Sequence, residues 1–208
     1  MPERSRPRVG IQPDRMVSYE IRAVNVDERR ITVSFSSEQA VPRYWGQEIL
    51  QHDEGSVNLE RLNNIGVALF NHDRSYVIGK VENAKLAADE KRTYADIVFD
   101  SDPEAELIFQ KVQSGSLKGV SVGYSVDVWE EIMPGKTSSN GRFAGPCDVA
   151  TRWTPMEISI VSVPADDSVG VGREAAGPNA SHENRRSGAS CLSVSLSERQ
   201  LQINKNFL

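Results

Sequence analysis

Residues 77–99 read VIGKVENAKLAADEKRTYADIVF. Two apolar-rich runs, Val77–Leu86 and Lys91–Phe99, enclose the polar tip AADE, the pattern of two strands joined by a tight turn. Upstream, VSYEIRAV (17–24) and RITVSFS (30–36) alternate on either side of NVDER and predict a second hairpin. Val67–Phe70 is a short apolar run, VSVGYSVDVW (120–129) alternates, and MEISIVSV (156–163) predicts a last strand. One helix is clear: Asp102 caps it, Pro103 fills the first turn, Leu107, Ile108 and Val112 give the stripe, and Gly115 stops it. Val57–Leu62 predicts a weaker helical turn, and 133–152, rich in Gly, Pro, Ser and Asn, a long loop. Hairpins with few helices indicate an α+β fold, mainly antiparallel β: a closed barrel decorated by helices rather than alternating β-α units.

The ends read differently. Residues 1–16 hold four Arg, two acids and three Pro with no apolar period, and predict a disordered arm without the apolar segment of a secretory signal. From Ala165 the chain turns to GVGREAAGPNASHENRRSGAS and a short apolar stub, so a flexible tail is expected over 171–208 and a folded domain over 17–170. No run approaches the ~18 apolar residues of a membrane span. With 24 basic and 29 acidic residues the net charge is −5, which argues against a dedicated nucleic-acid binder. Cys147 and Cys191 lack metal-ligand spacing, and fit a reducing compartment or no role.

Three histidines frame the chemistry. His182 falls in the tail and His52 in the polar segment QHDEG, where a solvated ring is expected. His72 stands at the exit of a strand, where an imidazole is held yet reachable as a general base, or else merely caps the strand. The dipeptides His52-Asp53 and His72-Asp73 resemble metal-phosphohydrolase ligands, but those sites need packed helices, and here strands and loops surround both. Gly119-Val120-Ser121-Val122-Gly123 matches G-x-S-x-G, yet a helix precedes Ser121 and a strand follows, the reverse of a nucleophile elbow. What remains is a serine near a strand start, with flanking glycines that leave room for a substrate carbonyl, or else a serine on an exposed strand face. Glu157 shares its strand face with Ser159 and could orient a histidine or simply be solvated. Asp127 competes for that role but lies about 20 Å along the strand from Ser121.

Taken together, the segments VALFNHDRSYVIGKV, IFQKVQSGSLKGVSVGY and WTPMEISIVSVPADDSV resemble the prohead maturation proteases of tailed bacteriophages, serine peptidases with a fold akin to herpesvirus assemblins. The resemblance covers about residues 18–170. It implies His72 as general base, Ser121 as nucleophile and Glu157 as third member, in a closed β-barrel that needs no cofactor. Tyr124 stands where an aromatic is usual. Backbone N–H groups must stabilise the oxyanion, and Ala150–Pro155, expected as loop, is a candidate source. The expected function is a serine endopeptidase processing major capsid protein or scaffold, and itself, inside the procapsid in the host cytoplasm, with neither nucleic acid nor membrane as partner. A non-catalytic assembly module with the same barrel, and an unrelated ligand-binding barrel, are the competing readings.

Overall fold

The computed structural model describes residues 10–11, 21–43 and 45–163. In chain order the elements are β1 (Gly10–Ile11), β2 (Ile21–Asn25), β3 (Arg30–Ser37), β4 (Val41–Arg43), β5 (Gly46–Leu50), α1 (Glu60–Ile65), β6 (Val67–Phe70), β7 (Asp73–Ala87), β8 (Arg92–Phe99), α2 (Pro103–Gln113), β9 (Gly119–Ile132) and β10 (Cys147–Val161). The two hairpins read from sequence are β2–β3 and β7–β8, both antiparallel. The latter strand pair runs longer than its apolar core because β7 begins at Asp73, directly after the β6–β7 turn.

The strands form one mixed sheet in the order β1-β9-β10-β6-β7-β8-β3-β2, with β5 also on β10 and β4 on β5. Among the described residues this path has two ends, β1 and β2, and it curls as a half-barrel in which β3 approaches β9. Antiparallel pairs dominate, but β10 runs parallel to both β5 and β6. The parallel pairing with β6 is possible because the long crossover from β6 to β10 carries β7, β8, α2 and β9.

Alternation sorts the faces. Val120, Val122, Tyr124 and Val126 of β9 are buried in the core with Ile31, Val33, Phe35, Ile97, Ile158 and Ile160. The odd-numbered positions of β9, Ser121 and Gly123 among them, therefore face away from that core. On β10 the phase changes. Pro155 pairs with Tyr124 and Glu157 with Gly123, so Met156 is the extra residue of a β-bulge. One inserted residue lets both Trp153 and Ile158 bury inward while turning Glu157 and Ser159 to the face of Ser121.

Helix α2 begins as read: Asp102 Oδ1 accepts from the backbone N–H of Glu104 at 3.0 Å and of Ala105 at 3.1 Å. Its buried stripe is Ala105, Ile108, Phe109 and Val112, whereas Leu107, expected inside, is 49% exposed. The stripe follows i, i+3, i+4, i+7, which passes over 107. Phe109 packs 4.9 Å from Phe99, and Arg29 lies over its ring and pairs with Glu106. Past the helix, Gly115 takes φ +74, the left-handed stop.

Several expectations are corrected. The helical turn expected over 57–62 lies instead at Glu60–Ile65. The long loop ends at Pro146 rather than 152, because Cys147–Arg152 already pair with β9. Gly10–Ile11, inside the expected disordered arm, form β1 on Ser125 and Val126 of β9. Most of the arm, residues 17–20 of the first expected strand, and the tail from 171 with His182 and Cys191 lie outside the described residues. Among the described residues no helix is long and apolar enough to cross a membrane.

Candidate active site

His72 sits in a two-residue turn. Phe70 pairs with Asp73 across the β6–β7 hairpin, which leaves Asn71 and His72 as the central residues. Their φ angles, 52° and 59°, are both left-handed, as a type I′ turn requires. Asparagine suits the first position, but histidine occupies the second, where glycine is favoured, at a cost of about 1 kcal/mol. Neighbouring β10 holds the turn in place. Asn71 N–H donates to Ile160 O at 2.9 Å, Asn71 Oδ1 accepts from Ser162 N–H at 2.9 Å, and His72 N–H donates to Ser159 Oγ at 3.1 Å.

From this turn the imidazole reaches two strands at once. His72 Nδ1 lies 2.7 Å from Glu157 Oε1 on β10, and Nε2 lies 2.7 Å from Ser121 Oγ on β9. A carboxylate only accepts, so Nδ1 carries the hydrogen and Nε2 is left to accept the Ser121 proton. That is the tautomer a general base needs. The second Glu157 oxygen is also occupied: Ser159 Oγ donates to Oε2 at 2.7 Å. The side chains of His72 and Glu157 are only 11% and 13% exposed, and Ser121 is fully buried. In such surroundings charge interactions are strengthened relative to water.

The three residues singled out from sequence, His72, Ser121 and Glu157, thus meet from β6–β7, β9 and β10. Asp127 does not join them and is exposed further along β9. Asp73 is occupied by its own turn. The Ser75 hydroxyl, then the Ser75 backbone N–H, hold its carboxyl below the ordinary aspartate range. Gly123 has a different role from the one expected: a Cβ there would come within 2.4 Å of Glu157 Oε1, so its missing side chain makes room for the carboxylate rather than for substrate. Sequence reading missed Asn71 and the hydroxyl of Ser159. The signals were an asparagine directly after the apolar run VALF, a residue that tolerates left-handed turn positions, and the shared face of positions 157 and 159.

Two further expectations fail. His52 is not solvated but fully buried, its Nδ1 donating to Leu50 O at 2.8 Å and its Nε2 2.6 Å from Ser36 Oγ. It packs 5.4 Å from Trp153, and burial with both ring nitrogens engaged satisfies it without solvent. Its neighbour Asp53 is bound by Lys91 and Arg142, which separates it from any metal-like role beside His52. Ala150–Pro155 is strand, not loop: Ala150, Arg152, Trp153, Thr154 and Pro155 pair with β9. These residues stand four to nine positions from Ser159, the partner of Ser121, or roughly 13–30 Å. Tyr124 points into the core, where its hydroxyl donates to Glu48 Oε1 at 2.6 Å and accepts from Arg43 at 3.1 Å.

A family model for the Caudovirus prohead serine protease matches residues 55–178, which include His72, Ser121 and Glu157. The chain belongs to this family. Its match begins just before α1 and takes in the β6–β7 turn and the strands β9 and β10 that supply the hydrogen-bonded residues. A protein of Halomonas phage phiHAP-1 named "Major capsid protein" is 37% identical over 144 residues, 68% of this chain and 23% of the phage protein. The prohead protease family member described here thus spans under a quarter of the length of that relative. No solved structure matches it.

Proposed function

We propose that the chain is a serine endopeptidase acting in procapsid maturation, with Ser121 as nucleophile, His72 as general base and Glu157 as the orienting carboxylate. The observation that carries this reading is the continuous hydrogen-bonded line Ser121 Oγ–His72–Glu157, at 2.7 Å on each side of the ring. In the proposed reaction His72 Nε2 takes the Ser121 proton as Oγ attacks a peptide carbonyl, and returns it to the leaving amine. Glu157 keeps Nδ1 protonated and stabilises the imidazolium without itself taking the proton. A water then repeats the sequence on the acyl-enzyme. Because Ser121 is buried, the cycle includes an opening step that uncovers its hydroxyl. No cofactor enters the scheme.

Family membership and the phage relative's name support a capsid protein as substrate, with scaffold and the chain itself as further substrates inside the procapsid in the host cytoplasm. The proposed catalytic domain is 17–170. The curl of the sheet, with β3 approaching β9, fits the closed, assemblin-like barrel that the resemblance implies. One observation favours a second reading: the relative is named as a structural capsid component, as expected if the domain serves assembly without catalysis. Co-expression with the capsid protein separates the two. Wild type shortens the capsid protein by mass spectrometry and Ser121→Ala does not. Equal products from both would remove Ser121 as nucleophile, and no shortened product from either would favour the assembly module.

A further inference from the structure

Ser159 lies opposite Ser121 in the β9–β10 ladder and is fully buried on the face that carries the site. Its hydroxyl makes two bonds. It donates its only proton to Glu157 Oε2 at 2.7 Å and accepts the backbone N–H of His72 at 3.1 Å. One side chain therefore ties the carboxylate and the left-handed backbone of the imidazole to the same point on β10. Glu157 needs that tie. Its side chain has three rotatable bonds, its Oε1 is committed to His72 Nδ1, and it retains 13% exposure through which it could swing toward water. A carboxylate gripped at both oxygens has one orientation, and its Oε1 lone pair then stays aimed at Nδ1.

We propose that Ser159 is a positioning residue for the proton-transfer apparatus. It holds Glu157 and His72 in one frame without touching substrate, and the proposal rests on the triad reading above. Without the hydroxyl, Glu157 is free to rotate, the Nδ1···Oε1 bond is made only part of the time, and the imidazolium is less stabilised. Its apparent pKa then falls by roughly half a unit to one unit.

The test follows the His72 ring nitrogens by NMR against pH, beside the rate at which a fluorophosphonate labels Ser121. In Ser159→Ala, His72 is expected to titrate at lower pH and labelling to slow by roughly 10- to 100-fold, while Ser159→Thr, which keeps the hydroxyl, restores both. Ser159→Cys matches the serine closely in size but bonds weakly, so it should move in the same direction, and it serves if the alanine variant does not fold. In a Glu157→Gln background Ser159→Ala should cost clearly less than in wild type, because the carboxylate it positions is gone. An unchanged titration would overturn the proposal. So would a shift to higher pH, which would mean that Ser159 competes with His72 for the carboxylate, and so would fully additive losses. The titration needs no proteolysis, whereas absence of labelling in the wild-type chain would strike the endopeptidase reading alone.

Discussion

Gly123→Ala isolates the geometry of the carboxylate. The added Cβ would stand 2.4 Å from Glu157 Oε1 and 3.2 Å from both Cδ and Cγ. Ordinary contact begins near 3.4 Å, so Oε1 must retreat by about 1 Å. The atom displaced is the one that accepts from His72 Nδ1 at 2.7 Å, and a retreat of that size takes the pair out of hydrogen-bond range. Misplacing a reacting group by 1 Å costs on the order of 10²-fold, and losing the orienting carboxylate altogether costs up to ~10⁴-fold. Labelling of Ser121 by a fluorophosphonate should therefore slow by roughly 10²- to 10⁴-fold. Stability should change little, because Gly→Ala stiffens the unfolded chain by about 0.4–1 kcal/mol in compensation, and thermal unfolding reports this directly. A Gly123→Ala chain that melts like wild type and labels at the wild-type rate would refute the assignment of Glu157 as the orienting group.

The triad reading makes Ser121→Ala and His72→Ala equally inactive and the double variant no worse, since members of such a unit fail together; additive losses in labelling or capsid cleavage would contradict it. Glu157→Gln keeps the shape but not the charge, so it should be slowed yet faster than either, and wild-type rates would move the third role elsewhere. Away from the site, the hydrogen bond from Lys91 and the charge of Arg142, against some burial, hold Asp53 below the ordinary aspartate value of 3.8. A depressed folded-state pKa gives stability that is full above the unfolded value and is lost as pH falls through the folded one. Wild type should therefore lose melting temperature more steeply below about pH 4 than Asp53→Asn, and parallel curves would deny Asp53 that part.

Much of this was legible in the sequence because the β signal is strong where alternation meets a turn. The two hairpins, read over 17–36 and 77–99, and the Asp102 cap were readable from period and punctuation alone, though not their exact bounds. The parallel contact of β6 with β10 was not, because nothing local in VALF or EISI specifies a partner some 90 residues away. His52 misled for a related reason. QHDEG is polar in sequence, yet the fold supplies Ser36 and Leu50 O to satisfy its ring, and tertiary partners override local polarity. Gly123 was read as space for substrate because the neighbour that fills the space arrives from β10, across the ladder.

The placement of β10 explains why the three groups meet at all. Among the described residues it is the one strand that borders both β9, which carries Ser121, and β6, which leads into the His72 turn, antiparallel to the first and parallel to the second. An antiparallel neighbour puts Ser159 opposite Ser121, and a parallel neighbour puts Ile160 beside Phe70, one residue before Asn71. The two registers together fix how far the imidazole must reach. The bulge at Met156 then decides which face does the work: if Met156 paired regularly with Gly123, Glu157 would fall opposite Val122 and point into the core beside Trp153, where an unpaired carboxylate is untenable, and Ile158 would turn outward. The left-handed turn that presents His72 is unfavourable by itself and persists because Ile160, Ser162 and Ser159 of the same chain segment bind it. Orientation of Glu157 and retention of the strained His72 turn thus depend on one four-residue stretch, 159–162, and disruption of its register should disable the proposed site before it unfolds the sheet.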